Sequence, residues 1–499
     1  MLLSVSCFAQ LTDSIYLYRQ SENKIGRVYR NATHLLGTSV TKLGVAGIRL
    51  DYFDGHFRKA QEAETQTSGT IATKGVTEFG RFKASGYFDF SRIYQDSLAW
   101  TTKGTEIDAQ PYYFGSIKAG KYERSSYELG GILSYGLIPE KLFISNGIEY
   151  SYRSSTRSVD PRPAVNNFKL ILKPELTYQL ANQFIGLQGK WGYGREDFAL
   201  GYKNRDYSNG GYPDRVNYMI YGYGLIQISA GTERNRRDER HKGLALNYSG
   251  TFNKVDLKAS AGYQTWHDEN AYVTENSIKN NLIGTFDMDI WRADILLSST
   301  GTKHEQQVSL QAGFLSGEDR RVLYDAVNYR YDQQILNIEY LFHLNHVRRF
   351  STEYGGFVNY EKLEKEDYIS AHYVNTNVIE PGLSGTVYLK TTKNNLFSFT
   401  AKASYRVPLK NELNVPGFQE NVFSRGVVYP DYAYATSRAV PFFGKIQYIS
   451  NNLFKQFRSG ISIGAVCVSK LEDGIVQAST AYTPGNQRLS ANLSLNLYF

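Results

Sequence analysis

The sequence predicts an all-β fold: a single closed antiparallel transmembrane β-barrel of about 18–20 strands. Three observations predict it. Segments alternate strictly between apolar and polar residues, short turns alternate with long polar connections, and aromatic residues gather at segment ends. Side chains along a strand point to opposite faces, so a two-residue period means one dry face and one wet face.

The clearest segment is the last. From 488 to 499 the odd positions are Leu489, Ala491, Leu493, Leu495, Leu497 and Phe499. The even positions are Arg488, Ser490, Asn492, Ser494, Asn496 and Tyr498. The same pattern runs through 82–90, 168–179, 255–265, 383–390, 397–407 and 461–467. The polar face carries Lys83, Asp89, Lys169, Lys173, Glu175, Asp256, Lys258, Glu339, Lys390, Lys402 and Arg406, and these are the candidate lumen-facing residues. Both signs of charge are present, so this face is wet or internally paired.

A soluble sandwich alternates too. Strand length and connections decide for the barrel. Segments of roughly 10–12 residues, tilted by about 40°, cross an apolar band of ~25 Å. Ala181-Asn182, Asn253-Lys254 and Lys393-Asn394-Asn395 read as tight periplasmic turns. Segments 53–66, 95–124, 194–240, 361–381, 409–439 and 469–487 read as long extracellular loops, with a hairpin near 222–229 inside the largest. Tyr150, Tyr152, Trp191, Tyr193, Trp266, Trp291 and Tyr498 read as interfacial aromatics.

Composition agrees. Of 499 residues, 40 are Tyr, 27 Phe and 44 Gly, against 3 Met and 2 Cys, a balance that favours strands. No apolar run reaches helical membrane-spanning length. A net charge of +8 with no basic domain argues against nucleic acid as a partner. Cys7 and Cys467 build neither a disulfide nor a metal site. Residues 1–10, MLLSVSCFAQ, read as the end of an export signal with cleavage near Ala9 or Gln10. Residues 11–42 are a periplasmic segment or lumen plug, and 43–499 form the barrel.

The export leader, the Tyr-rich strands and the final Leu495-Asn496-Leu497-Tyr498-Phe499 together resemble outer-membrane β-barrels of the Bacteroidota. The resemblance implies an outer-membrane location, with lipid and lipopolysaccharide around the wall. It also implies that the barrel-assembly machinery reads Leu495, Leu497 and Phe499. Some such barrels are encoded beside TonB-dependent transporters, which implies a transporter or other envelope protein as a partner. The activity itself is undefined in several of these families.

Candidate chemistry is sparse. His343-Leu344-Asn345-His346 has a possible metal spacing, but neighbouring Arg348 and Arg349 oppose a cation. Asp289 and Asp294 flank Trp291-Arg292 at what reads as an interfacial turn. His56, His267, His304 and His372 lie in or near loops, with no local motif to make any of them catalytic. No cofactor and no enzyme are expected. The segment 233–242, ERNRRDERHK, reads as a basic loop carrying Arg234, Arg236, Arg237, Arg240 and Lys242, either solvated or in contact with anionic lipopolysaccharide or an anionic solute near the mouth. The function expected is a porin-like or gated passage for small polar solutes. The alternatives are a closed accessory subunit of an envelope complex and, behind it, a barrel enzyme.

Overall fold

The computed structural model describes residues 18–104, 107–209, 211–229, 233–273, 281–301, 303–345, 350–391, 395–451 and 457–499. The leader, His346 and Arg348-Arg349 lie outside them, as do residues 11–17 of the N-terminal segment and Lys393-Asn394 of one turn.

Two short helices come first, α1 (Arg19–Gly26) and α2 (Ala32–Leu36). The strands are β1 (Lys42–Gly55), β2 (Thr65–Phe79), β3 (Phe82–Leu98), β4 (Tyr112–Gly115), β5 (Gly120–Ile138), β6 (Leu142–Arg157), β7 (Arg162–Leu180) and β8 (Gln183–Gly201). Next are β9 (Asn217–Tyr221), β10 (Leu225–Ser229), β11 (Arg234–Phe252), β12 (Val255–Tyr272), β13 (Leu282–Thr300), β14 (His304–Arg321), β15 (Tyr329–Asn345) and β16 (Phe350–Asp367). Last come β17 (His372–Lys390), β18 (Leu396–Ser404), β19 (Val407–Pro408), β20 (Glu412–Asn414), α3 (Tyr429–Thr436), β21 (Arg438–Ser450), β22 (Arg458–Glu472) and β23 (Gln487–Tyr498).

The wall is an antiparallel ring of 18 strands, with β19 and β20 continuing β18 alongside β17. It closes where β23 pairs β1, from Val45↔Tyr498 to Gly55↔Arg488. The terminal residue completes the seam: Gly44 N–H donates to the Phe499 carbonyl at 2.7 Å and Phe499 N–H to the Gly44 carbonyl at 3.0 Å. A Cβ on Gly44 would stand 2.1 Å from the Phe499 ring, so only glycine admits that aromatic at the seam. Closure removes every free edge. A strand β9–β10 hairpin with β4 forms a separate three-stranded sheet.

The outer face is apolar across its middle, where Ile48, Leu50, Leu133, Ile144, Leu187, Leu246, Phe399, Ile463 and Leu495 are all exposed. In water such a belt would drive aggregation. Around a barrel with no unpaired edge it is the lipid face. The protein is an outer-membrane β-barrel. β1 begins and β23 ends at the periplasmic end, with the short turns, and the long connections lie at the extracellular end.

Two expectations change here. Many strands run 17–19 residues rather than 10–12. They continue beyond the apolar band, so much of 95–124, 194–240 and 361–381 is strand, and β16 and β17 join through the four-residue turn 368–371. Above the band, cross-strand charge pairs replace apolar residues on the outer wall, and in sequence that reads as loop. The aromatic assignment also changes. Trp191, Tyr193 and Trp291 face outward and are exposed, but Trp266 and Tyr498 are buried on the inner face.

Candidate functional site

The lumen is the candidate site, and chain segments occupy both of its ends. At the periplasmic end sit α1 and α2. Asn31 caps α2 by accepting the His34 N–H at 2.8 Å, a local reason for the helix to start there. The small apolar faces of the plug, Ile25, Val28, Ala32 and Leu35, pack against Leu43, Val45, Val76, Ile132, Tyr388, Leu396, Ile449 and Tyr498. Burying three large aliphatic side chains is worth on the order of 5 kcal/mol. That biases the plug toward its seat by a few thousandfold.

Polar contacts fix its register. Glu175 receives Ala32 N–H (2.9 Å), Thr33 N–H (3.0 Å), Thr33 Oγ1–H (2.5 Å), Gln188 Nε2 (2.8 Å) and Asn247 Nδ2 (3.1 Å). Asp294 takes Arg27 Nε and Arg30 Nη1, each at 2.6 Å. Arg19 pairs with Glu339. His34 Nε2 lies 3.2 Å from the carbonyls of Tyr248 and Ala259, and its Nδ1 lies 3.1 Å from the Asn31 amide. That pattern requires a neutral ring with the proton on Nε2. Gly186 leaves the space these groups use, since a Cβ there would be 1.9 Å from Thr33 Oγ1.

At the extracellular end, connections fold inward and form a cap. Trp100, Tyr113, Tyr218, Ile220, Tyr223, Phe423, Val428 and Tyr432 pack against the wall residues Trp266, Phe286, Met288, Tyr329, Tyr331 and Val374. Beside this apolar layer lies a charge cluster. Lys365 Nζ is 2.7 Å from Asp108, and Asp431 accepts the Ala60 N–H at 2.7 Å. A small cavity of about 60 Å³ is bordered by Lys59, Asp108, Glu361, Lys365, Arg406 and Asp431. Desolvation by burial pushes the Asp431 carboxyl up to about 6, against the pull of Lys59. Burial pushes the Lys103 ammonium down to about 7. Asp108 is held well below the usual carboxylate range despite its burial, because Lys365 and Lys59 flank it.

The sequence-derived candidates distribute as follows. Lys83 reaches the Thr38 carbonyl (2.6 Å), and Lys258 reaches the His34 carbonyl (3.3 Å). Asp256 meets Lys24 at 3.6 Å, and Lys390 stands over the Tyr18 ring. These four, with Glu175 and Glu339, gather on the plug. Lys173 pairs with Glu149, and Lys402 lies near the Phe357 and Phe443 rings. Asp89 borders a polar chamber of about 590 Å³ with Asp51, Glu128, Lys445 and Asn492. Lys169 lies on the same inward face of β7 as Lys173 and Glu175, and Arg406 donates to the Tyr434 carbonyl in the cap. Leu495, Leu497 and Phe499 are exposed on the outer wall.

The basic segment is a correction. It is not a loop but the upper part of β11. Arg237 is buried and meets Glu239 (2.7 Å), Glu196 (3.5 Å) and Asp268 (3.7 Å). Arg236 pairs with Asp197 at 2.7 Å and Arg240 with Glu269 at 3.3 Å on the outer wall. Arg234 begins the strand, paired with Ala199, and Lys242 lies exposed opposite Trp191. Cross-strand partners far away in sequence neutralise most of what looked like a free basic patch.

Asp289 and Asp294 are likewise not at a turn. Both lie within β13, Asp294 turned inward to the plug and Asp289 accepting from Tyr263 OH at 2.5 Å. The parity of β13 alone separates them. Sequence reasoning placed Asp294 and Arg292 only at an interfacial turn, and it passed over Lys190 and Asp431. The first three sit on inward positions that the two-residue period marks, whereas Asp431 carries no such signal. Of the histidines, His343 is buried beside Tyr18, with ring centroids 4.8 Å apart. His372 Nε2 lies 2.7 Å from Ser424 Oγ, and both residues are fully buried in the cap.

The chain belongs to DUF6850, a family of unknown function. The family model matches residues 32–499, which takes in α2 and the whole barrel. No curated protein matches the DUF6850 chain in sequence. Among solved structures it is similar to the siderophore receptor PirA from Acinetobacter baumannii, at 8% identity and a TM-score of 0.40, covering 93% of this chain and 81% of that one. It is also similar to the copper transporter OprC, at 8% identity and 0.38, covering 93% and 81%. A third is OccAB3 from Acinetobacter baumannii, at 9% identity and 0.36, covering 92% and 99%.

Proposed function

We propose that this barrel is a gated channel for small polar solutes, closed at rest by its N-terminal plug and its extracellular cap. The observation that carries the reading is the plug's mode of attachment. Much of its hold on the wall is polar, through Glu175, Asp294 and Glu339, and it sits inside the lumen. Groups released from such contacts meet water rather than lipid, so the plug can leave without stranding buried charges. A polar chamber bordered by Glu22, Asn23, Arg27 and Arg30 lies beside it. The apolar part of the seat is what makes opening conditional on a trigger.

The wall contacts lipid and lipopolysaccharide, the last strand serves the assembly machinery, and the source is a member of the Bacteroidota. No catalytic role is assigned. The second reading is a closed accessory subunit of a TonB-dependent transporter or other envelope complex. Occupation of both lumen ends favours it, because a subunit working through its outer surface needs no path.

Planar-bilayer conductance separates the two. The full chain is expected to be silent. A barrel lacking residues 18–41, with 99–119, 202–233 and 415–435 also replaced by short turns, is expected to give stable steps. Silence from that doubly opened barrel, shown to be folded by heat-dependent gel migration, would sink the channel reading in favour of the subunit.

A further inference from the structure

One part of the lumen wall carries more positive charge than the plug uses. A cavity of about 330 Å³ beside α2 is lined by Arg30, Lys173, Lys190, Arg292, Gln311 and Asp294. Arg27 and Arg30 already occupy Asp294, and Lys173 is paired with Glu149. Lys190 has a neutral partner, Gln264 Oε1 at 2.5 Å. Lys169, Lys173, Lys190 and Arg292 all stand on inward positions of β7, β8 and β13. The Arg292 side chain makes no hydrogen bond or ion pair among the described residues, and it is exposed on the inward face of β13.

The wall is also built to leave that guanidinium free. Arg292 lies opposite Gly262 on β12 and opposite Gly313 on β14. Glycine on both flanks removes the side chains that would otherwise pair with the guanidinium or cover it. A narrow lumen with low-dielectric walls strengthens the field of unpaired cations. A planar guanidinium beside an ammonium matches a carboxylate or phosphoryl oxygen group.

The geometry points to an anion subsite, formed by Arg292 and Lys190 of the wall with Arg30 of the plug, for a small solute bearing carboxylate or phosphate groups. As the substrate class of the channel it rests on the gated-channel reading; as a binding site it does not. Because Arg30 also holds Asp294, a bound anion competes for one of the plug's own anchors.

The test is calorimetric titration of the folded full chain in detergent with citrate and with inorganic pyrophosphate, at constant ionic strength. A Glu175→Gln protein, with a loosened plug, is titrated in parallel to secure access. Saturable binding is expected in at least one of the two proteins. In that background, Arg292→Gln or Lys190→Met weakens binding by about tenfold, and Arg30→Gln weakens it too. Lys445→Gln, in the other chamber, changes it less than about twofold. Silence from both parent proteins overturns the subsite, as does an equal loss on Lys445→Gln. Conductance plays no part in this readout. A barrel that binds the anion in this way but never conducts loses the channel reading and keeps the subsite.

Discussion

Glu175 shows how much one side chain decides in this protein. In sequence it is one carboxylate in an alternating strand. In the folded chain it receives five hydrogen bonds, three of them from the plug. Truncation by Glu175→Ala removes charge-assisted bonds worth about 2–4 kcal/mol together, so hydrogen exchange of residues 32–36 should accelerate by roughly thirtyfold to a thousandfold. Unchanged exchange would mean that the apolar seat alone holds the plug. Gly186→Ala tests the same seat by crowding it. Its added methyl group would meet Thr33 Oγ1 and Glu175 Oε1, so the plug should lose protection while the barrel's heat-dependent migration stays as it is. A Gly186→Ala protein with a fully protected plug would show that the seat has slack.

At the scale of elements, the cap and the long strands behave differently from the turns. The turns obey local rules: Ala181 and Asn253 sit at φ of +51° and +53° in two-residue connections between paired strands, as such turns require. The cap depends on charges brought together from 56–64, 99–119, β16 and α3, and its stability should follow pH. Asp431 has a raised folded value, so its contribution is present below the ordinary value near 4 and is lost as pH rises through about 6. Asp108 is depressed and loses its contribution only as pH falls below the usual carboxylate range. Between pH ~4 and ~6 the trend therefore belongs to Asp431. Exchange protection of 56–64 and 429–436 should fall as pH rises across that window, and Asp431→Asn should flatten the profile. A slope that survives Asp431→Asn would assign the titration elsewhere.

For the whole molecule, the ring of strands and the segments inside it are separable. Every barrel strand is hydrogen-bonded on both sides, and the seam joins β1 to β23 without using α1 or α2. Removal of residues 18–41 should therefore leave an assembled barrel that migrates faster unboiled than boiled. Loss of that behaviour would make the plug part of the folding core. The full chain, with both lumen ends occupied, should conduct no more than rarely.

The sequence by itself determined the wall. Alternation over Phe82–Leu98, Arg162–Leu180 and Gln487–Tyr498 sets which residues face lipid and which face the lumen, because strand geometry is local. The same parity placed Trp266 and Tyr498 on the inner face, where the pull of an aromatic girdle misassigned them. Tertiary structure alone decided what the inward residues meet. Asp294 and Glu175 become plug anchors, Arg237 becomes a buried ion-pair centre, and the Arg292 side chain stands between two glycines without a partner among the described residues. Those outcomes join residues up to several hundred positions apart. A two-residue period records the direction of a side chain, not the group waiting across a closed lumen.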